Sequence, residues 1–303
     1  MGENVTIGPW CSIGPDVTLG EGVRLHASVI IDGLTEIGAH VEVFPFVTVG
    51  LAPQDLKYRG EPTRCVIGAH TVLRENVTIH RGTAQGTALT RIGAHCLIMA
   101  NAHVAHDCDI GDGVIIVNNV VMGGHVEIGD GARIMGAAAL HQFVRIGRGA
   151  LVGGVCGVEA DVIPYGSVLG NRARLVGLHW IWLRRQGVSA EEIQQMRRAF
   201  RILYPRSGNN EIVLEARLAE VKRDFAASAV SGKLLLSWKF RAAVVWCVPQ
   251  VRPSCHRKPR ARDAHPGRHS GRRGAASVSG RKVGSSPRGQ CLHCRLSGFC
   301  RSG

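Results

Sequence analysis

Three observations predict a mainly β fold, a triangular solenoid of short parallel strands followed by a helical section. Apolar residues recur every sixth position, at Ile7, Ile13, Leu19, Leu25, Ile31, Ile37, Val43 and Val49, again at Ile67, Leu73 and Ile79, and in unbroken steps of six from Ile92 to Val158. Glycine is abundant, 39 of 303 residues, without the every-third spacing of collagen, and aromatic residues make up only 5%. That balance favours a turn-rich β repeat over a helical bundle. Beyond Pro164 and Tyr165 the repeat ends, and apolar residues three and four apart take over, the spacing of one helix face.

A period of six is neither helical nor simple strand alternation. It fits a short strand plus a turn, with the aliphatic side chain pointing inward and the glycine that often follows it, as at Gly8, Gly14, Gly38, Gly93 and Gly129, allowing the turn. Three such hexads close one coil of about 18 residues, and stacked coils pair their strands at ~4.8 Å over a continuous aliphatic column. Two insertions break the period: Leu51 to Arg64 (LAPQDLKYRGEPTR) and Arg81 to Thr90 (RGTAQGTALT). Loops that interrupt a regular coil are where a solenoid places function. In the helical section Ser189 and Glu192 form a capping box, with Ile193, Met196, Phe200 and Leu203 on one face. After a turn at 207–210, Leu214, Leu218, Val221 and Phe225 repeat the pattern, so two antiparallel helices are expected to cap the solenoid. The expected organisation is a β-helix over 1–165, a helical domain over 166–232 and a basic tail over 233–303, disordered or the product of a frameshift.

Charge sharpens that division. The net charge is +14, but 16 of the 37 Lys+Arg and one of the 23 Asp+Glu lie from Lys233 onward, which leaves 21 basic against 22 acidic groups in 1–232. The body is near neutral, so no nucleic-acid partner is expected for it. No apolar run reaches the roughly 18–20 residues that span a bilayer, and no signal-peptide pattern opens the chain; a cytoplasmic protein without a membrane span is expected. Cys11, Cys96, Cys108 and Cys156 fall at small apolar positions of the repeat and read as buried thiols. Cys291 and Cys294 form a CxxC near Cys300 without the second ligand pair of a zinc site, and no metal or other cofactor is expected.

The stretch NAHVAHDCD, Asn101 to Asp109, carries the chemistry. His106 is the candidate general base, and the adjacent Asp107 can fix its tautomer and stabilise its imidazolium. A coil of 18 residues stacks His106, Gly124 and Gln142 in one column and Asp107, His125 and Phe143 in the next. The Gly124 N–H is placed to receive an oxyanion. His103, His125 and His141 converge on the same place, with His80 one coil earlier.

The segments QDLKYRGEPTR, VTIHRGT, NAHVAHDCDIGD, GGHVEIGD, AALHQFVRIG and VGGVCGVEADVIPYG together resemble, in order and spacing from Met1 to about residue 230, the acyl-carrier-protein:UDP-N-acetylglucosamine O-acyltransferases of lipid A biosynthesis. The resemblance implies a homotrimer of left-handed parallel β-helices with sites in clefts between subunits. It implies that His106 deprotonates the sugar 3-hydroxyl, which attacks the thioester of an (R)-3-hydroxyacyl chain on acyl carrier protein. Asp107 would orient His106, and Gly124 would hold the oxyanion. Gln54, Asp55 and Lys57 of the first insertion, with His80, His103, His125, His141 and Gln142, would line the nucleotide-sugar and acyl sites. Gly154 matches the position that limits acyl length, and glycine there implies a long chain.

The uridine-diphosphate segment departs from the family pattern. His179 stands for an asparagine, Ile181 for a glutamate and Gln186 for the second of a basic pair, while Arg185 is retained. The family also carries roughly one more coil before the first residue of this chain and a further helix after the matching region. These departures imply an impaired activity. Other readings are an N-acyltransferase acting on an amino sugar, a trimeric β-helix zinc enzyme of carbonic anhydrase type, and a catalytically weak scaffold.

Overall fold

The computed structural model describes residues 1–205 and 214–225. Within them the chain is a left-handed parallel β-helix whose short strands fall into three sheets of ten, eight and seven strands. Within the repeat each strand bonds to the strand one coil away and not to its neighbour in sequence. The register records the repeat: Arg24 pairs with Glu42, 18 residues on, and Leu97 with Ile115, again 18. Between them Glu42 pairs with Val72 and Val72 with Leu97, steps of 30 and 25. The two insertions therefore leave the coil and return to it without shifting the stack.

The aliphatic positions read from the sequence form the core. Leu19, Leu25, Ile31, Ile67, Leu73, Ile79, Ile92, Ile98, Ile110, Ile116, Ile134 and Ile146 are fully buried. Each such side chain contributes about 1.5–3 kcal/mol relative to exposure, so the column as a whole sets the register. The corners use the left-handed backbone region at the second turn residue, as at His40 (φ +56°), His95 (+56°), Asp107 (+59°), His125 (+61°) and Phe143 (+64°).

Strands run past the predicted end of the repeat. Gly166–Leu169 extends the ten-stranded sheet and Arg174–Leu178 pairs with it antiparallel; this hairpin has no hexad period by which it could be anticipated. Among the described residues three helices follow: α1 (Trp180–Arg185), α2 (Ala190–Leu203) and α3 (Leu214–Asp224). The Ser189 hydroxyl accepts the Glu192 N–H at 3.1 Å, the N-cap half of the expected box. Ile193, Met196, Ala199 and Leu203 of α2 pack with Tyr165, Trp182, Leu183 and Val221 as a second core. Ala199 takes the place assigned to Phe200, which is half-buried and packs instead against the β-helix core. Helix α1 was not foreseen; Trp182 anchors it by lying over the corner glycines Gly131 and Gly149. Leu218 and Phe225 pack on the second core as expected. The side chain of Leu214, the turn at 207–210, the tail 233–303 and the CxxC of Cys291 and Cys294 lie outside the described residues. Among the described residues no helix is long and apolar enough to cross a membrane.

Candidate active site

Both insertions leave at one corner, where the eight-stranded sheet hands over to the seven-stranded sheet. His80 ends the strand Thr78–His80 there and His103 opens the strand His103–Val104 one coil on. Their rings meet edge to face with centroids 5.0 Å apart. The Thr78 hydroxyl lies 2.7 Å from His103 Nδ1. His80 is buried and its Nδ1 has no partner among the described residues. Burial, with His103 and His106 adding to it, pushes its pKa down to about 4; the ring is neutral near pH 7. Burial lowers His103 as well.

His106 and Asp107 follow at the turn. His106 Nδ1 lies 2.8 Å from Asp107 Oδ2. The Asp107 carboxylate is entirely buried, and burial alone would oppose its ionisation. Hydrogen bonds from Thr83, His106 and Thr87 outweigh that and hold it below the usual carboxylate value. An ionised carboxylate only accepts, so Nδ1 of His106 carries a proton, and it is Nε2 that holds the lone pair in the neutral ring. The ring lies against Gly124: a Cβ added there would stand 2.5 Å from His106 Cε1. Glycine is needed to seat the imidazole, besides baring the N–H, which donates to no acceptor among the described residues.

The predicted column forms. His125 meets His106 edge to face at 5.1 Å and stacks on Phe143 at 4.5 Å, the planes 5° apart. Burial lowers the pKa of His125, His106 adds to this, and the carboxylates of Asp107 and Asp55 oppose it. Asp55 of the first insertion is thus near enough for its charge to act on His125. Gln54 and Lys57 are exposed beside it, with the Lys57 N–H donating to Asp55 Oδ1 at 2.9 Å. His141 is exposed with Nδ1 3.1 Å from the Gln142 carbonyl, and the Gln142 side chain lies over Gly123. A cleft of about 880 Å³ opens alongside, lined by Thr87, Asp107, His125, Gln142 and Phe143 together with the paired charges Arg91, Asp109, Arg145 and Asp161.

Gly154 and Arg185 are not joined to this cluster. Gly154 is exposed at another corner, where an added Cβ would meet only the Gly136 carbonyl, at 3.3 Å. Arg185 is exposed in the last turn of α1. His179, at the N-cap of α1, sets Nδ1 3.0 Å from the Gly149 carbonyl; burial first, then Arg133 and Arg185, lower its pKa. Sequence reasoning missed Thr83, Thr87 and Thr90, the polar surround of Asp107. The clue present was three threonines between Gly82 and Arg91 in an insertion at that corner.

His106, Asp107 and His125 bring three donor atoms within 4.8 Å of one another, near enough for a metal ion. The carboxylate is already committed, however, to donors from Thr83, Thr87 and His106. Ligation would have to displace them, so the donor set fits a hydrogen-bonded dyad better than a metal. A covalent thiol route is also disfavoured at this corner, since burial pushes Cys108 up to about 12.

Comparison with known proteins bears on the family and the fold. A family model described as UDP N-acetylglucosamine O-acyltransferase, domain 2, matches residues 161–236, and one for the bacterial transferase hexapeptide (six repeats) matches 1–33 and 89–124. An acyl-[acyl-carrier-protein]–UDP-N-acetylglucosamine O-acyltransferase of Azorhizobium caulinodans is 53% identical over 204 residues, 67% of this chain and 75% of the relative. One from Thermodesulfovibrio yellowstonii is 46% identical over 222 residues, 73% and 84% of the two chains. The crystal structure of a UDP-N-acetylglucosamine acyltransferase from Bacteroides fragilis superposes with a TM-score of 0.73 at 36% identity, covering 77% of this chain and 89% of that one.

Proposed function

This chain belongs to the acyl-[acyl-carrier-protein]–UDP-N-acetylglucosamine O-acyltransferases, and from that membership we propose that it transfers a 3-hydroxyacyl chain from acyl carrier protein to the 3-hydroxyl of UDP-N-acetylglucosamine, the first step of lipid A biosynthesis. The observation that carries the reading is the His106 imidazole, held through Nδ1 by a buried carboxylate at 2.8 Å and seated on Gly124.

In this mechanism Nε2 of His106 takes the proton of the sugar hydroxyl as its oxygen attacks the thioester carbonyl. The Gly124 N–H receives the oxyanion of the tetrahedral intermediate. As that intermediate collapses, the C–S bond breaks and the imidazolium returns the proton to the carrier thiolate. Asp107 stays ionised throughout and stabilises the imidazolium. A thioester is already activated, so a positioned base, worth typically about 10²–10⁴-fold, suffices.

His80 and His103, neutral by burial, supply polar walls that do not compete with Asp107 for the proton of His106. Gln54, Asp55, Lys57, His125, His141 and Gln142 bind the nucleotide sugar and the acyl head. The open position at Gly154 admits a long acyl chain, and Arg185 meets the diphosphate. Gly154 and Arg185 stand apart from His106 within one chain, which supports a site completed by a neighbouring subunit in a homotrimer. The β-helix, the helical section and the tail from 233 serve as catalytic body, cap and appendage, and the enzyme works in the cytoplasm, where its carrier substrate is made.

The test is an assay of the purified full chain with UDP-N-acetylglucosamine and 3-hydroxyacyl carrier proteins of graded length, alongside a UDP-amino-sugar acceptor. The expected product is a 3-O-acyl ester with a long donor preferred and a trimer by sedimentation. Exclusive acylation of the amine would replace this reading with the N-acyltransferase one.

A further inference from the structure

The insertion Arg81 to Thr90 has so far no task in the reaction. It returns to the coil through the strand Leu89–Ile92, and on the way it wraps the Asp107 carboxylate. The Thr83 N–H donates to both carboxylate oxygens at 3.1 Å, and the Thr83 hydroxyl donates to Oδ2 at 2.6 Å. The Thr87 N–H donates to Oδ1 at 2.9 Å. The Thr87 hydroxyl has one proton to give and lies nearer the Leu89 carbonyl, 2.8 Å, than Oδ1, 3.1 Å, so Thr87 serves Asp107 mainly through its backbone. From the other side the Asp107 N–H donates to the Thr90 hydroxyl at 2.8 Å. Gly86 lets the loop lie flush on the acid: a Cβ there would stand 2.4 Å from Asp107 Cγ and 2.5 Å from each oxygen.

We infer that this insertion is a carboxylate clamp and that Thr83 is its positioning residue, fixing the rotation of Asp107 and through it the direction in which Nε2 of His106 points. The inference rests on the reading of His106 as general base. The geometry leaves the carboxylate no freedom. Oδ2 accepts from the Thr83 hydroxyl and His106, Oδ1 from Thr87, and the Thr83 N–H bridges the two, so a turn about the Cβ–Cγ bond would break several bonds at once. A β-branched side chain is stiff at χ1, so Thr83 aims its hydroxyl without a large loss of side-chain freedom. An unclamped carboxylate next to a histidine could swing toward solvent or toward His125, whose Nε2 already lies 3.9 Å from Oδ2.

The experiment compares Thr83→Val, which keeps shape and branching but loses the hydroxyl, with Thr83→Ser, which keeps the hydroxyl. Losing a hydrogen bond to a charged group corresponds to about a 10- to 100-fold fall in kcat, with KM for the nucleotide sugar unchanged. The carboxylate short of a donor would hold the imidazolium more tightly, so the acid limb of the kcat profile moves to higher pH. Thr83→Ser restores both. A second readout needs no substrate: in the full chain, the downfield proton resonance of His106 Nδ1–H moves in Thr83→Val and returns in Thr83→Ser. That signal tests the clamp even where the wild type gives no turnover, an outcome that would sink the proposed function instead. A loss of kcat by the same factor at every pH, or an Nδ1–H resonance identical in wild type and Thr83→Val, overturns the clamp. Should Thr83→Val fail to fold, Thr83→Ala is measured the same way, with the same outcomes.

Discussion

Two groups of histidines occupy two corners of the same β-helix. At the corner between the seven-stranded and ten-stranded sheets, the tetrapeptide IGAH recurs three times, and His40, His70 and His95 stack in a ladder with centroids 5.0 and 4.9 Å apart. All three are exposed, and among the described residues their ring nitrogens meet no hydrogen-bonding group. At the corner between the eight-stranded and seven-stranded sheets His80, His103, His106 and His125 are buried or half-buried and meet in edge-to-face pairs, and His106 and His125 flank a buried carboxylate. The backbone is the same at both, φ +56° at His95 and +61° at His125. What differs is the pair of insertions, present at one corner only, the second of which brings hydrogen-bond donors to a buried acid. Histidine content and stacking do not make a site; burial next to a compensated charge does.

The sharpest way to break this contrast is to remove one ring from each corner. His106→Ala is expected to lower kcat by about 10²–10⁴-fold, with kcat/KM falling in parallel, because a general base acts in the transition state rather than in binding. Asp107→Asn should cost less, about 10- to 100-fold, since an amide can still meet Nδ1 while losing the charge that holds the imidazolium. His70→Ala, in the ladder, should leave turnover within a factor of about two. Steady-state kinetics with saturating carrier substrate decides it, and equal losses at both corners would mean that the histidines serve the fold.

Glycines sharpen the same contrast at smaller magnitude. Gly124 has no strained φ, and the atoms nearest a methyl there all belong to the His106 ring, the first 2.5 Å away. Gly124→Ala should therefore turn the imidazole aside and reduce kcat by about tenfold or more with little change in melting temperature. Gly113, at the ladder corner, is the reverse case: open space surrounds it, but its φ is +62°. Gly113→Ala should cost about 1–2 kcal/mol of stability and no activity. Thermal melts and kcat on the two variants should give opposite patterns.

These cases also mark what the sequence could and could not say. The fold was legible because a period of six, sustained from Ile92 to Val158, admits one arrangement of inward aliphatics, and coil arithmetic then stacked His125 on Phe143 and set His106 beside Gly124. Thr83 and Thr87 escaped because they reach Asp107 across 24 and 20 residues from an insertion with no period. The sequence puts Phe200 on the buried face of its helix, but a helical face predicts burial without naming the surface that provides it, here the β-helix core. The hairpin Gly166–Leu169 with Arg174–Leu178 and the helix α1 carry no repeat, and their placement comes from strand pairing and from the contacts of His179 and Trp182 with corner glycines.

The last test concerns stability in acid, and it asks whether the site corner is as dry as the contrast requires. His80 has a folded pKa of about 4 against an ordinary 6.5, so the native state refuses a proton that the unfolded chain accepts. Stability from this residue is whole above pH 6.5 and is lost as pH falls from 6.5 toward 4, by about 3 kcal/mol at most from a shift of that size. Asp107 acts in a lower window: its pKa is held below 3.8, so its contribution survives to that pH and is lost only beneath it. The two losses are therefore separable on one titration. Urea midpoints measured from pH 7.5 to pH 3 should show an early decline in the wild type, much reduced in His80→Gln, and a later one common to both. His103 and His125, also lowered by burial, add to the early decline in both proteins, so a residual slope in His80→Gln is expected. A decline of unchanged size in His80→Gln would mean that water reaches the His80 ring, and the two corners would then differ in their carboxylate alone, not in their burial.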